Sequence, residues 1–210
     1  MVTEQLEVER KFDVDEGFVL PGLAGVPGVA AVDPPVTHHL EAVYHDTADL
    51  RLVRGRVTLR RRTGGPDEGW HLKLPAGAAR RELHLPLDRG TDAAPAELLD
   101  VVTGLLGGAA TGPVVTMRTR RVVTELRDAA GRVLAELADD AVTATVPAGA
   151  PGVRPEVRRW REVEIELVGG GEPLLTAVGE ALVAAGARPS PRASKLASAL
   201  SSRLGGGTPG

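Results

Sequence analysis

Apolar and polar side chains alternate with a period of two along most of this chain, and Gly, Pro and Asp turns interrupt the alternation at intervals. That is the period of a β-strand, whose successive side chains point to opposite faces. It predicts a first strand in Glu7-Val8-Glu9-Arg10-Lys11-Phe12. There Glu7, Glu9 and Lys11 share one face, Leu6, Val8 and Phe12 take the other, and Arg10 is the exception. Residues 36–46 read as a second strand, closed by Asp46-Thr47, a pair suited to capping a turn. Residues 57–62, 69–74 and 80–87 are the third to fifth, with a Gly64-Gly65-Pro66-Asp67 turn after the third. Residues 114–127 and 132–146 form a long hairpin around Asp128-Ala129-Ala130-Gly131, and residues 160–168 are the last strand, ended by three glycines.

Helical spacing appears in two places. Residues 95–106 gather Leu98, Leu99, Val102, Leu105 and Leu106 on a broad apolar face, with Gly107-Gly108 as the stop. Residues 172–186 do the same with Leu174, Leu175, Val178, Leu182 and Val183. A shorter helix is expected over 194–204, and 19–31 reads as a loop or a short helix. The fold class expected is mainly β (α+β): an eight-stranded antiparallel barrel with a few peripheral helices, formed by residues 1–204 as one domain. Residues 205–210, rich in Gly, read as a flexible tail or a truncated linker.

The polar faces of these strands carry paired charges. Arg60 and Arg62 share a face opposite Leu59, and Lys73 and His71 oppose Trp70 and Leu72. Arg80, Glu82 and His84 oppose Leu83 and Leu85, while Arg118 and Arg120 oppose Val115 and Met117. Glu136 and Asp140 oppose Leu137, and Glu162, Glu164 and Glu166 oppose Val163 and Ile165. Like charges at i, i+2 repel unless opposite charge sits between them. Clustered arginines suit a polyanion, and clustered carboxylates without sulfur or imidazole suit a hard cation such as Mg²⁺ or Mn²⁺. A barrel lining that holds both describes a site for a metal-bound polyphosphate; on alternation alone, a salt-bridged solvent face stays the alternative.

Composition narrows the picture. The 210 residues are 42% hydrophobic but 2% aromatic, so the core is aliphatic. A net charge of −3 gives no overall pull toward nucleic acid or an anionic membrane, and specific binding to either is not expected. There is no cysteine, which excludes disulfide and thiolate chemistry. The acidic first residues do not make a signal peptide and no apolar run is long enough to span a bilayer, so a cytoplasmic protein is expected. Of 25 Lys and Arg residues only Lys11, Lys73 and Lys195 are lysines, which singles them out as compact point charges in a chain that otherwise uses arginine.

Several of these segments resemble the CYTH domain family, the triphosphate tunnel metalloenzymes. Glu7-x-Glu9-x-Lys11 resembles its ExExK signature, and Tyr44-His45-Asp46-Thr47 its Tyr-x-Asp-Thr segment. Leu59-Arg60-Arg61-Arg62 is similar to its arginine strand and Trp70-His71-Leu72-Lys73-Leu74-Pro75 to its lysine strand. Arg80-x-Glu82, Arg118-x-Arg120, the Glu136/Asp140 strand, Glu162-Val163-Glu164-Ile165-Glu166-Leu167 and Ser194-Lys195 follow in the family's order, so the resemblance covers residues 3 to 200.

The resemblance implies a barrel tunnel with a charged lining and a metal-dependent triphosphatase acting on phosphoanhydride bonds. It implies that Glu7, Glu9, Glu164 and Glu166 hold one or two Mg²⁺ or Mn²⁺ ions. Lys11, Arg60, Arg62, Lys73, Arg80, Arg118, Arg120 and Lys195 then grip the phosphates, Lys195 on resemblance alone. Glu82, Glu136 and Asp140 are the catalytic candidates, for metal or water positioning. Glu82 and Glu162 also read as partners for neighbouring arginines. His38, His39, His45, His71 and His84 show no metal-ligand spacing. The substrate expected is inorganic triphosphate or a nucleoside triphosphate, with polyphosphate as a further partner. The alternatives are ATP cyclisation of the class IV adenylate cyclase type and a non-catalytic polyphosphate- or nucleotide-binding module. In bacteria such a domain often precedes a helical CHAD domain, so the resemblance implies a CHAD domain missing from the C-terminal side as a further partner.

Overall fold

The computed structural model describes residues 1–87, 92–148, 154–192 and 194–204. Its N-terminal stretch makes two strands, β1 (Thr3–Glu7) and β2 (Glu9–Val14). β1 pairs antiparallel with β7 (Ala79–Pro86), whereas β2 pairs with β10 (Glu156–Leu167), so the chain changes neighbours at Val8. Between those edges run β4 (Val36–Asp46), β5 (Thr58–Thr63), β6 (Gly69–Ala76), β8 (Gly112–Arg127) and β9 (Val133–Val146), in the order β1-β7-β6-β5-β4-β8-β9-β10-β2. Two short strands, β3 (Ala31–Val32) on β8 and β11 (Arg188–Pro189) on β2, complete an 11-stranded antiparallel sheet curled into a half-barrel. The eight strands expected are all present. The count rises because the first divides at Val8 and because two dipeptides add to edges too briefly to leave a period-two signature.

Three apolar layers hold the sheet. Outside β2, β9 and β10 lies α4 (Glu172–Ala184), whose Leu174, Leu175, Val178 and Leu182 pack on Phe12, Leu137, Val163 and Ile165. The outer face of β5, β6 and β7 offers Leu59, Trp70, Leu72 and Leu83. They are covered by Leu52 of α1 (Arg51–Arg54) and by α2 (Ala96–Val101) with α3 (Thr103–Leu106), the helix expected over 95–106 being interrupted at Val102. The third layer is inside one end of the curl. There Ala42, Tyr44, Val115, Met117, Val142 and Ala144 meet Leu196 and Ala199 of α5 (Lys195–Ala199) and Leu200 just after it, and α6 (Ser201–Leu204) follows. α5 therefore plugs that end with hydrocarbon. The tail 205–210 lies outside the described residues.

Asp46 and Thr47 close β4 as turn chemistry. The buried Asp46 Oδ1 accepts from Thr47 N at 2.7 Å and Leu52 N at 2.9 Å, and Oδ2 from Val53 N at 3.0 Å. The amides of Leu52 and Val53 are at the start of α1 (Arg51–Arg54) and have no intrahelical acceptor, so one carboxylate fixes that helix against the barrel. Among the described residues no helix is long and apolar enough to cross a membrane.

The plug explains a reversal along β8. In its first half the inward residues are apolar (Val115, Met117) and meet α5, while Arg118 and Arg120 point to solvent. In its second half the inward residues are Arg121, Val123 and Glu125, facing an open cavity, while Leu126 points outward beneath the layer of α4. A 16-residue strand crosses two environments on each face, so its polar side changes without any break in period.

Candidate functional site

The open part of the curl is a cavity of about 770 Å³. Strand alternation aims one residue in two into it, and the register sorts those residues by charge. On β5, β6 and β7 stand Arg60, Arg62, Lys73 and Arg80. On the opposite wall, Glu9 of β2 pairs with Glu166 of β10, Glu166 with Glu136 of β9, and Glu136 with Glu125 of β8. Direct cross-strand partners have Cβ atoms roughly 5 Å apart, so four carboxylates lie side by side in one row. All four line the cavity.

The row is under electrostatic tension. Burial raises the pKa of Glu166; Lys73 opposes the rise, but the charges of Glu9, Glu82 and Glu136 add to it. Glu9 has Lys11 Nζ at 3.2 Å and Glu125 has Arg127, whereas Glu136 and Glu166 make no ion pair among the described residues. Oxygen-only donors at this density fit a hard divalent cation.

The cationic wall is crowded as well. Burial, then Arg60 and Arg121, pull Arg62 down to about 9, although it pairs with Asp67. The Nε atoms of Arg60 and Arg62 are buried with no acceptor, a cost that an anionic ligand's oxygens would remove. Arg60 Nη1 donates to Tyr44 Oη at 3.3 Å. Burial alone would raise the Tyr44 pKa, but Arg60, Lys195 and Lys11 hold it below the ordinary tyrosine value.

Deeper in, Lys195 is the hub of a buried cluster. Ser194 caps α5, its Oγ accepting from Ala197 N at 3.1 Å, which sends the next side chain inward. Lys195 Nζ lies 2.7 Å from Glu164 and 3.0 Å from Asp140, and it also pairs with Glu162. Arg121 completes the cluster, with Nε 2.8 Å from Asp140 Oδ1 and Nη2 2.6 Å from Asp140 Oδ2 and 2.8 Å from Glu164. Burial works against every charge here, yet Glu164 is held well below and Lys195 well above their ordinary values by each other and by their neighbours. Asp140, Glu162 and Glu164 each offer an oxygen within 4.8 Å of the others, a spacing that could hold a divalent metal. In the folded chain the ammonium of Lys195 already lies among them.

A second cluster sits near the seam between β1 and β7. Lys73 Nζ reaches Glu7 at 2.5 Å and Glu82 at 3.8 Å, and His71 Nδ1 lies 2.7 Å from Glu82 Oε1. Burial and the adjacent Glu82 push Glu7 up to about 8 against the pull of Lys73. Burial then lowers His71 to about 4, with Arg60 and Arg62 adding to the drop and Glu82 opposing it.

Set against the residues expected from the sequence, the metal candidates Glu7, Glu9, Glu164 and Glu166 all line the cavity. So do Glu82, Glu136, Lys11, Arg60, Arg62, Lys73, Arg80 and Lys195. Asp140 lies behind the wall, fully buried, and reaches the cavity only through Lys195 and Arg121. Arg118 and Arg120 do not share the cavity: both are exposed on the outer face, where Arg118 Nε pairs with Glu41 at 2.8 Å. Arg121 takes the inward position, and Glu125 joins the carboxylate row. Both were legible only through the parity of Arg121, Val123 and Glu125 with the cavity side of β8.

The curled antiparallel sheet thus sets a guanidinium–ammonium wall against a carboxylate wall across one cavity. The sequence matches the CYTH domain over residues 5–195, and the chain belongs to that family. An uncharacterised protein found in two strains of Mycobacterium tuberculosis is 44% identical over 214 residues, an alignment covering 97% of this chain and 42% of the mycobacterial protein. The chain thus spans less than half the length of these relatives. Among solved structures, a Bacillus halodurans protein put forward as an adenylate cyclase superposes with a TM-score of 0.62 at 19% identity, covering 92% of this chain and 96% of that one. A Pyrococcus horikoshii protein superposes with a TM-score of 0.52 at 15% identity, over 95% and 99%. At these identities the structures establish the shared fold.

Proposed function

We propose that this chain is a divalent-metal-dependent hydrolase of inorganic triphosphate or a closely related triphosphate, with the curled sheet forming a substrate tunnel. The observation that carries the reading is the face-to-face arrangement of Arg60, Arg62, Lys73 and Arg80 with the Glu9–Glu166–Glu136–Glu125 row across one cavity. Mg²⁺ or Mn²⁺ held by Glu9 and Glu166, with Glu136 or Glu125 beside them, would neutralise phosphate charge and acidify a water.

The chain's own residues supply positioning and charge. Phosphoryl transfer needs in-line geometry and stabilisation of charge on the equatorial oxygens more than covalent chemistry. Arg60 and Arg62 present fork donors whose Nε atoms have no protein acceptor, and Lys73 supplies a point charge oriented by Glu7 and Glu82. Glu82, locked by His71 and Lys73, acts as a positioning residue for that lysine. Asp140 does the same for Arg121 and Lys195. Glu136, on the cavity wall without an ion pair among the described residues, is the carboxylate available to orient a water.

The lining also favours triphosphate over nucleotide cyclisation. Among the described lining residues the aromatic rings are His38 and Tyr44, and Tyr44 is tied to Arg60, which leaves little on which adenine could stack.

The test is incubation with triphosphate, thiamine triphosphate and ATP in Mg²⁺ or Mn²⁺, with phosphate, pyrophosphate and cyclic AMP measured. Phosphate release from triphosphate, lost in Glu9→Gln with the fold intact, is the expected result. Cyclic AMP from ATP, or tight binding without product, overturns it.

A further inference from the structure

The turn between β5 and β6 sets a carboxylate on the cationic wall. Gly64-Gly65-Pro66-Asp67-Glu68 joins Thr63 to Gly69, and its backbone is fixed at several points. Gly64 has φ 77, the left-handed region that favours glycine. A Cβ there would lie 2.1 Å from the carbonyl oxygen of His39, so the turn packs tightly on β4. Gly64 N donates to Glu68 Oε1 at 2.6 Å. His71 Nε2 lies 2.9 Å from the Asp67 carbonyl oxygen, and His84 Nε2 lies 3.2 Å from that of Glu68. On this held backbone the Asp67 side chain turns inward to pair with Arg62, and Pro66 and Asp67 both line the main cavity.

The two partners are unequal. The Arg62 side chain is 7% accessible and that of Asp67 47%. Arg62 also stands beside the like charges of Arg60 and Arg121. A buried guanidinium in such company needs an anion, and Asp67 is its ion-pair partner among the described residues. The contact is made through Nη2, whereas Nε is buried with no acceptor. Half in solvent, the carboxylate has room to leave by rotation about its own side-chain bonds while the backbone stays on His71 and His84. Glu68, the other acid of the turn, is exposed and spends its carboxylate on the Gly64 amide.

We infer that Asp67 is a built-in competitor for the cationic wall: its carboxylate occupies Arg62 until a phosphate oxygen displaces it, and returns when the anion leaves. The inference rests on the triphosphate reading of the main cavity and adds to it a residue that regulates binding there. Carboxylate and phosphate oxygens suit the same guanidinium donors. A phosphate oxygen gains a first contact at the free Nε and then replaces Asp67 at Nη2. Apparent affinity falls with the fraction of molecules in which the wall is open. Asp67 therefore acts in two opposite directions, stabilising the fold by compensating Arg62 and weakening the grip on the ligand.

The experiment uses wild type, Asp67→Asn and Glu68→Gln. It measures binding of imidotriphosphate, a nitrogen-bridged analogue that resists hydrolysis, in Mg²⁺, and the melting temperature without the analogue. Asp67→Asn keeps the side chain's shape and removes its charge. Glu68→Gln removes the same charge from the same turn but keeps an acceptor for Gly64 N, so it reports the general effect of charge. Asp67→Asn should bind the analogue about fivefold more tightly or better, the scale of a half-exposed ion pair, and melt at a lower temperature than wild type. Glu68→Gln should stay within about twofold of wild type in affinity. Should Asp67→Asn not fold, Asp67→Ser, equally suited to a turn, carries the same expectation. Binding that is unchanged or weaker without the Asp67 charge, an equal gain in Glu68→Gln, or an unchanged melting temperature overturns the competitor while the triphosphate reading stands. If wild type does not bind the analogue, both fall together.

Discussion

Glu166 on β10 and Glu9 on β2 stand directly opposite one another in the antiparallel ladder, and both face the cavity. Glu136 lies opposite Glu166 on its other side, so Glu166 is flanked by like charge from two strands. Facing like charges destabilise a sheet by up to about 1 kcal/mol per pair. In chelator, Glu166→Gln should therefore raise the melting temperature by a few degrees, as about 1 kcal/mol does for a domain of this size. Mg²⁺ or Mn²⁺ should raise the melting temperature of wild type and leave the variant nearly unmoved. Thermal scans with and without metal decide it: a wild-type melting temperature indifferent to both ions would remove the row as a metal site.

Lys195 tests a different cation. It is buried, and its ammonium joins Glu162, Glu164 and Asp140 while fastening α5 inside the curl. Removing one partner of a buried ionic cluster leaves uncompensated charge and costs about 3–5 kcal/mol. Lys195→Ala should lose that much stability in denaturant titration. Because the three carboxylates come within 4.8 Å of one another, it should recover part of the loss in Mn²⁺. A variant as stable as wild type, altered only in KM, would make Lys195 a phosphate contact rather than a latch.

Arg118 and Arg121 differ by three positions and by the side of the sheet they occupy. Arg121→Ala breaks bidentate bonds to the buried Asp140 and a bond to Glu164, so both stability and triphosphate affinity should fall. Arg118→Ala removes an exposed pair with Glu41, 78% and 45% accessible. It should stay within about 0.5 kcal/mol of wild type, as exposed pairs do, with KM unchanged. A raised KM in Arg118→Ala together with a normal one in Arg121→Ala would reverse the assignment.

That pair also marks how far the sequence could be read. Most of the cavity lining followed from alternation, because β2, β5, β6, β7 and β10 each keep one face toward the cavity over the stretch that bears charge. Strand bounds such as Val36–Asp46 followed from turn residues. Alternation failed on β8, where α5 fills one end of the curl and makes Val115 and Met117 inward residues. Nothing local to Arg118 or Arg120 reports that a helix eighty residues later occupies the space behind them. The division at Val8 escaped for a similar reason: a strand that changes partners keeps its period. The hub role of Lys195 depended on tertiary packing, since its three partners come from β9 and β10.

His71 gives the pH test. Burial, with Arg60 and Arg62, lowers its pKa to about 4 from the ordinary 6.5, despite the hydrogen bond with Glu82. The unfolded chain then binds a proton at this site that the folded protein refuses. Stability is fully present above pH 6.5 and is lost as pH falls from there through about 4. A depression of this size corresponds to about 3 kcal/mol across that window. His71→Asn, which keeps a polar partner for Glu82 but carries no titrating proton, should flatten the acid limb between those values. Chemical denaturation of both proteins at a series of pH values measures it. Parallel acid limbs in wild type and variant would assign the loss to the carboxylates around Lys195 instead.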